Sequence, residues 1–121
     1  MVLNAIRVNL SGGEIFVPKI PSFKILDLAK AICQKCKIKY IGIRPGEKIH
    51  EQMITENDSL NTFEGKKDYV ILPSHDQVRR NFYLKNKDYK PVKKGFSYDS
   101  KNNNTFLSIR ELKEIISLFE K

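Results

Sequence analysis

The sequence predicts a small α/β unit, α+β when taken as an isolated piece, and three observations carry that expectation. Apolar runs of strand length end at proline: Glu14-Ile15-Phe16-Val17 before Pro18 and Tyr69-Val70-Ile71-Leu72 before Pro73. Segments with apolar residues at helical spacing lie between and after such runs. A capping box, Ser108-Ile109-Arg110-Glu111, opens the last of them. The 121 residues, 40% hydrophobic with seven phenylalanines and five tyrosines, suffice for one modest core.

Each element can be justified in turn. Val2, Leu3, Ile6 and Leu10 fall near one face, so residues 1–10 read as the closing turns of a helix that Ser11-Gly12-Gly13 stops. A beginning of this kind is expected of a piece of a larger fold. After the first strand, Ser22 is expected to N-cap a helix bearing Ile25, Leu28, Ala29 and Ile32. Ile38 to Ile43 reads as a second strand bounded by Pro45-Gly46, and Gly46 to about Ile54 as a short helix. Thr55-x-x-Asp58 has the spacing of a further cap, with Asp where Glu or Gln is preferred. Tyr69 to Leu72 is a third strand. From Ser74 to Lys94 the periodicity fades and polarity rises, which predicts a loop with at most one helical turn. Phe96-Ser97-Tyr98 reads as extended, and the terminal helix is expected to bury Ile109, Leu112, Ile115, Ile116 and Phe119. The division this implies is 1–72 as a ligand-binding subdomain, 73–95 as a polar basic loop, and 96–121 as the closing strand, turn and helix of the same domain.

Composition narrows the function. The longest apolar runs fall far short of the roughly 20 residues of a membrane span, and residues 1–7 lack the pattern of a secretory signal; the expected placement is cytoplasmic. The net charge of +8 raises nucleic acid as a partner. Lys outnumbers Arg 17 to 5, however, which resembles a general compositional bias more than base or phosphate recognition, where Arg is favoured. The segment from Arg79 to Lys94 interleaves Phe82, Tyr83 and Tyr89 with basic residues, as some single-strand binders do, but a solvated basic loop is the preferred reading. Cys33 and Cys36 form a lone Cys-x-x-Cys. Zinc would need two more ligands, and the pair sits at a helix end rather than at the start that would lower a thiol pKa. Reduced, unreactive cysteines are expected, with no metal.

The candidate ligand site is Ile41-Gly42-Ile43-Arg44-Pro45-Gly46-Glu47-Lys48-Ile49-His50-Glu51. An Arg on a Pro-Gly turn can grip a diphosphate through its planar fork, and a carboxylate three residues on can accept hydrogen bonds from ribose hydroxyls. The bland alternatives are a salt bridge for Arg44 and a helix-start carboxylate for Glu47. Pro45 and Gly46 would shape the turn without contact. Lys48 and His50 are expected to be exposed or structural, and Glu51 is a candidate partner of Arg44.

Several stretches in order point to one family. Gly12-Gly13-Glu14-Ile15-Phe16-Val17-Pro18-Lys19-Ile20-Pro21-Ser22 leads into Lys24-Ile25-x-Asp27-Leu28-Ala29; the Arg44 stretch follows, then Met53-Ile54-Thr55-Glu56, Asn61-Thr62 before Tyr69-Val70-Ile71, and Gly95-Phe96-Ser97-Tyr98 before an Asn-rich turn and the last helix. In this order the chain closely resembles the C-terminal third of the inverting UDP-N-acetylglucosamine 4,6-dehydratases, the capsule and flagellar-sugar branch of the extended short-chain dehydrogenases. The resemblance covers most of 1–72 and roughly 95–119 and is weak over 74–94. Phe23 stands where Met is commoner, and Leu60 replaces a basic residue, so no contact is carried over there. The family oxidises the sugar at C4 with bound NADP, eliminates water across C5 and C6, and returns the hydride to C6 with inversion at C5. The resemblance implies UDP-sugar as ligand, Arg44 at its phosphates and Glu47 at its ribose.

It also implies what is missing. The family's Rossmann half holds the NADP and the catalytic groups, and no glycine-rich loop of that kind occurs in this chain; Gly12-Gly13 precedes a strand, the reverse of strand-loop-helix order. Tyr83-x-x-x-Lys87 matches a catalytic pattern by letter only, and chance is the better reading. The chain is therefore expected to be a substrate-binding portion with no catalytic residue, no cofactor site and no activity of its own. Two alternatives stand beside it. One is an interaction module pairing with a separate Rossmann half, or with itself, through Val2, Ile6, Ile15, Val17 and the terminal helix. The other is a basic nucleic-acid binder.

Overall fold

The computed structural model describes residues 12–119 and separates the chain into two compact units. One contains residues up to 19 together with 52–98; the other contains 20–51 together with 99 onward. These bounds cut across the division at 72 and 95 that the sequence suggests. The helix expected over residues 1–10 lies outside the described residues.

The first unit is built on an antiparallel sheet in the order β1 (Ile15–Pro18), β4 (Asp68–Ile71), β3 (Thr62–Glu64), β5 (Lys90–Pro91). Phe16 pairs with Val70, and Val70 with Phe63, so these three lie on one face, while Val17 and Tyr69 pair on the other. Both faces are covered. Val17 and Tyr69 pack with Ile54 and Tyr98; these last lie on β2 (Gln52–Ile54) and β6 (Tyr98–Asp99), which form a two-stranded sheet. On the opposite face Phe63, Val70 and Leu72 pack with Tyr83 of a helix, α2 (Gln77–Lys85), with ring centroids of Phe63 and Tyr83 5.6 Å apart. Thr55 and Asp58 cap the short 3-10 turn Asp58–Asn61 reciprocally: the Asp58 carboxylate accepts from the Thr55 amide and hydroxyl, and the Asp58 amide donates back to Thr55 Oγ1.

Helix α2 overturns the loop expected at 74–94. Its nine residues show no apolar stripe because only Tyr83 is buried. What starts it is Asp76, whose carboxylate accepts the Arg79 amide at 2.9 Å. One large aromatic anchor and one cap suffice where amphipathic periodicity is absent. Tyr83 is buried in the core, and α2 ends at Lys85 before reaching Lys87.

The second unit holds α1 (Ile25–Ile32) against α3 (Ile109–Phe119). Ser22 does not cap α1, whose N-cap is Lys24 without a side-chain bond. Instead Ser22 is engaged by the segment before α3: its amide donates to Thr105 O, its carbonyl accepts from Leu107, and its hydroxyl lies 3.0 Å from Asn103 Nδ2. The Ser108–Glu111 capping box forms as expected, with the Ser108 amide 2.8 Å from Glu111 Oε2 and the Glu111 amide returning to Ser108 Oγ. Of the apolar face expected for α3, Leu112 is buried, but Ile115 and Phe119 are exposed.

Three further expectations fail between the helices. Ile38–Ile43 is not a strand: no described segment pairs with it, and Ile38, Tyr40, Ile41 and Ile43 are exposed. Alternating apolar residues mark a surface that could be covered, but a strand also needs hydrogen-bonding neighbours. The helix expected over Gly46–Ile54 is absent, because Gly46 adopts φ +86° and Gln52–Ile54 is drawn into a strand that buries Ile54 completely. Cys33 and Cys36 are joined as a disulfide rather than reduced; the turn after α1 brings their Cα atoms to 5.5 Å, within bridging range.

Candidate functional site

Arg44, Pro45, Gly46 and Glu47 form a β-turn closed by the Glu47 amide donating to Arg44 O at 3.0 Å. Proline pre-sets the second position, and the third needs φ above zero, which glycine supplies at +86°. A second bond locks the turn: the Arg44 amide donates to Glu47 Oε2 at 2.9 Å. The residues expected to act together are thus held together by their own backbone.

Two groups remain for a ligand. The Arg44 guanidinium makes no ion pair among the described residues, so the salt bridge weighed for it does not form. Glu47 commits Oε2 to the turn, and Oε1 takes no hydrogen bond from the described residues. Both residues are exposed, as is every residue from 34 to 53. A fork of donors and one carboxylate acceptor on a fixed turn can engage an anion and an adjacent hydroxyl together, though each is screened by water.

The neighbours divide differently from expectation. Glu51 makes no ion pair with Arg44; its amide donates to Ser100 Oγ at 3.1 Å and its carbonyl accepts from the Ser100 amide at 2.8 Å. His50 Nδ1 lies 3.4 Å from the same hydroxyl. Sequence reasoning missed Ser100. Its only signal was the Asn-rich turn that follows, where Asp99 Oδ1 accepts the amides of Lys101 and Asn102.

The two arginines of the basic segment have structural partners, while its Lys85, Lys87, Lys90, Lys93 and Lys94 are exposed. Arg79 Nε lies 3.4 Å from Glu14 Oε1 and 3.2 Å from Asp76 Oδ2, with Glu14 buried. Arg80 donates to Leu60 O at 2.7 Å. Tyr83 is in the core, where burial, more than Glu14 and Asp68, pushes its phenol up. Tyr89 donates to Asp68 Oδ1, and burial first, then Asp68, pushes it up to about 12. Of the interleaved aromatics only Phe82 is exposed, so no stacking platform forms. The expected apolar docking face also loses Val17, which is buried, while Ile15 is exposed.

The Gly12-Gly13 pair does not have the geometry of a dinucleotide-binding loop. Gly12 and Gly13 lead into a strand, and Gly13 lies against Pro73 and Arg79, where an added Cβ would meet Pro73 Cγ at 3.1 Å. That glycine serves packing beside a paired arginine rather than a pyrophosphate cradle. No group of three or more metal-ligating side chains occurs among the described residues, and none of their helices is long and apolar enough to cross a membrane.

A small α+β chain presenting an Arg-Pro-Gly-Glu turn matches the polysaccharide biosynthesis protein family over residues 1–73, more than half of its length, and belongs to that family. The UDP-N-acetylglucosamine 4,6-dehydratase (inverting) of Campylobacter jejuni is 46% identical over 118 residues, covering 90% of this chain and 34% of that protein. The UDP-glucose 4-epimerase of Rickettsia canadensis is 33% identical over 110 residues, covering 86% of this chain and 31% of that protein. The solved structure of Pen from Bacillus thuringiensis superposes with a TM-score of 0.73 at 27% identity, covering 98% of this chain and 35% of that one. The chain thus spans about a third of the length of the proteins it matches.

Proposed function

We propose that this chain is the UDP-sugar-binding portion of a nucleotide-sugar-modifying enzyme of the inverting UDP-N-acetylglucosamine 4,6-dehydratase type, acting in surface polysaccharide or glycan synthesis in the cytoplasm. In this reading Arg44 holds the diphosphate and Glu47 accepts a ribose hydroxyl through Oε1. The observation that carries it is the doubly bonded Arg44–Glu47 turn, which leaves one guanidinium and one carboxylate oxygen available, in a chain 46% identical to such a dehydratase. Two relatives with different reactions, a dehydratase and an epimerase, both carry UDP in their names, so the nucleotide is the firmer part of the assignment than the chemistry on the sugar.

The chemistry itself belongs to a Rossmann portion with NADP, supplied by a separate chain or by further sequence. The 121-residue chain alone is expected to give no 4-keto product from UDP-N-acetylglucosamine and NADP. Binding is tested by calorimetric titration of UDP-N-acetylglucosamine into wild type and Arg44→Ala. Heat from wild type that Arg44→Ala loses supports the assignment; equal heats from both remove Arg44 from the site.

A further inference from the structure

We propose that Ser100 is the positioning residue of the Arg44–Glu47 turn, clamping the downstream end of the exposed segment that carries it. The consequence for ligand binding rests on the UDP-sugar reading; the cause rests on geometry within one compact unit, which contains residues 20–51 and 99 onward.

Residues 34–53 are exposed throughout, and among the described residues the hydrogen bonds of 37–49 are the two inside the turn. A segment of this length without regular structure keeps its geometry from its attachments. The upstream attachment is the end of α1, where the Cys33 amide donates to Ala29 O and Cys33 is bonded to Cys36. Residues 37–43 separate that attachment from Arg44. The downstream attachment begins at His50, three residues past Glu47, and it converges on Ser100.

The bonding at Ser100 is specific. Its hydroxyl oxygen accepts the Glu51 amide at 3.1 Å, and its own amide donates to Glu51 O at 2.8 Å. The hydroxyl proton is then free to be donated to His50 Nδ1, 3.4 Å away. Ser100 is itself held, because the Asp99 carboxylate accepts from the amides of Lys101 and Asn102 and from Asn102 Nδ2. Beyond the pairing of β2 with β6, one residue thereby holds the two consecutive residues, His50 and Glu51, that lead back to the turn. Pre-ordering of this kind reduces the ordering cost of gripping a ligand.

The test compares wild type, Ser100→Ala, Ser100→Thr and Arg44→Ala by backbone hydrogen exchange and by UDP titration. Ser100→Ala is expected to speed exchange across 44–51 while the first unit's sheet is unchanged, and to weaken UDP binding roughly three- to tenfold. Ser100→Thr, which keeps the hydroxyl, restores both. Unchanged exchange at 44–51 in Ser100→Ala overturns the proposal, as does unchanged UDP affinity where Arg44→Ala loses binding. Normal UDP binding by Arg44→Ala removes Arg44 from the site but leaves the exchange comparison to judge the clamp. Wild type that binds no UDP overturns the functional reading alone, and the exchange comparison at 44–51 then decides whether Ser100 is the clamp.

Discussion

Gly46 ties the proposed UDP-sugar grip to one backbone angle. The turn that displays Arg44 and Glu47 closes only if its third residue takes φ +86°, and no neighbouring atom lies within 4 Å of an added Cβ, so the constraint is conformational and not steric crowding. Gly46→Ala is expected to cost about 1–2 kcal/mol of turn stability, hence roughly five- to thirtyfold in UDP affinity. Titration alongside a thermal melt checks it, and the melt should barely move because the turn is exposed. The turn was legible from sequence, since Pro-Gly between polar residues has few alternatives. The return of the Glu47 carboxylate to the Arg44 amide was not, because it depends on a side-chain rotamer that no pattern encodes.

At the scale of elements, the tight spot is the loop between β3 and β4. A Cβ on Gly65 would lie 2.7 Å from Tyr89 Cε1 and 2.8 Å from Asp68 Oδ1, the same two side chains that hydrogen-bond to each other. Gly65→Ala is therefore expected to destabilise the first unit by about 1–3 kcal/mol, read from the urea midpoint followed by tyrosine fluorescence. Strands β1 and β4 were legible because both faces of each are apolar and proline ends the run. Helix α2 was not, because its stability comes from the Asp76 cap and from Tyr83 fitting between Phe63 and Tyr89. The segment 38–43 failed in the opposite direction: its apolar pattern is real, but no described strand pairs with it.

Across the whole molecule the charge is high, at +8, yet the two arginines of the basic segment are engaged within their own unit. Arg79 and Arg80 are used inside the first unit, and the chain is expected to show no single-strand DNA binding at low salt in a fluorescence anisotropy titration. Stability should fall at both ends of the pH scale. The Thr55 hydroxyl, then its amide, lowers Asp58 below 3.8, and the Ser108 hydroxyl, then its amide, lowers Glu111 below 4.5. These groups stabilise the fold above those ordinary values and lose that contribution as pH falls through their folded values. Tyr89 works in reverse. Raised to about 12, it stabilises the fold fully below about pH 10 and loses that contribution on the way to its folded value. Circular-dichroism denaturation against pH should show the alkaline step in wild type and a smaller one in Tyr89→Phe, where Tyr83 and Tyr69, also pushed up by burial, remain.

The sequence by itself determined the α+β class, the β1 and β4 strands, the Ser108 capping box, the family and the Arg-Pro-Gly-Glu turn. All of these are set by neighbours a few residues apart, or by an ordered run of matches that needs no coordinates. Only the tertiary structure decided that Ile54 leaves an expected helix for a buried strand, that Cys33 and Cys36 are joined, that Arg79 and Arg80 bond within the first unit, and that Ser100 meets His50 and Glu51. Those outcomes depend on which distant segment arrives with a hydrogen-bonding edge or a cavity to fill, and side-chain periodicity carries no information about that.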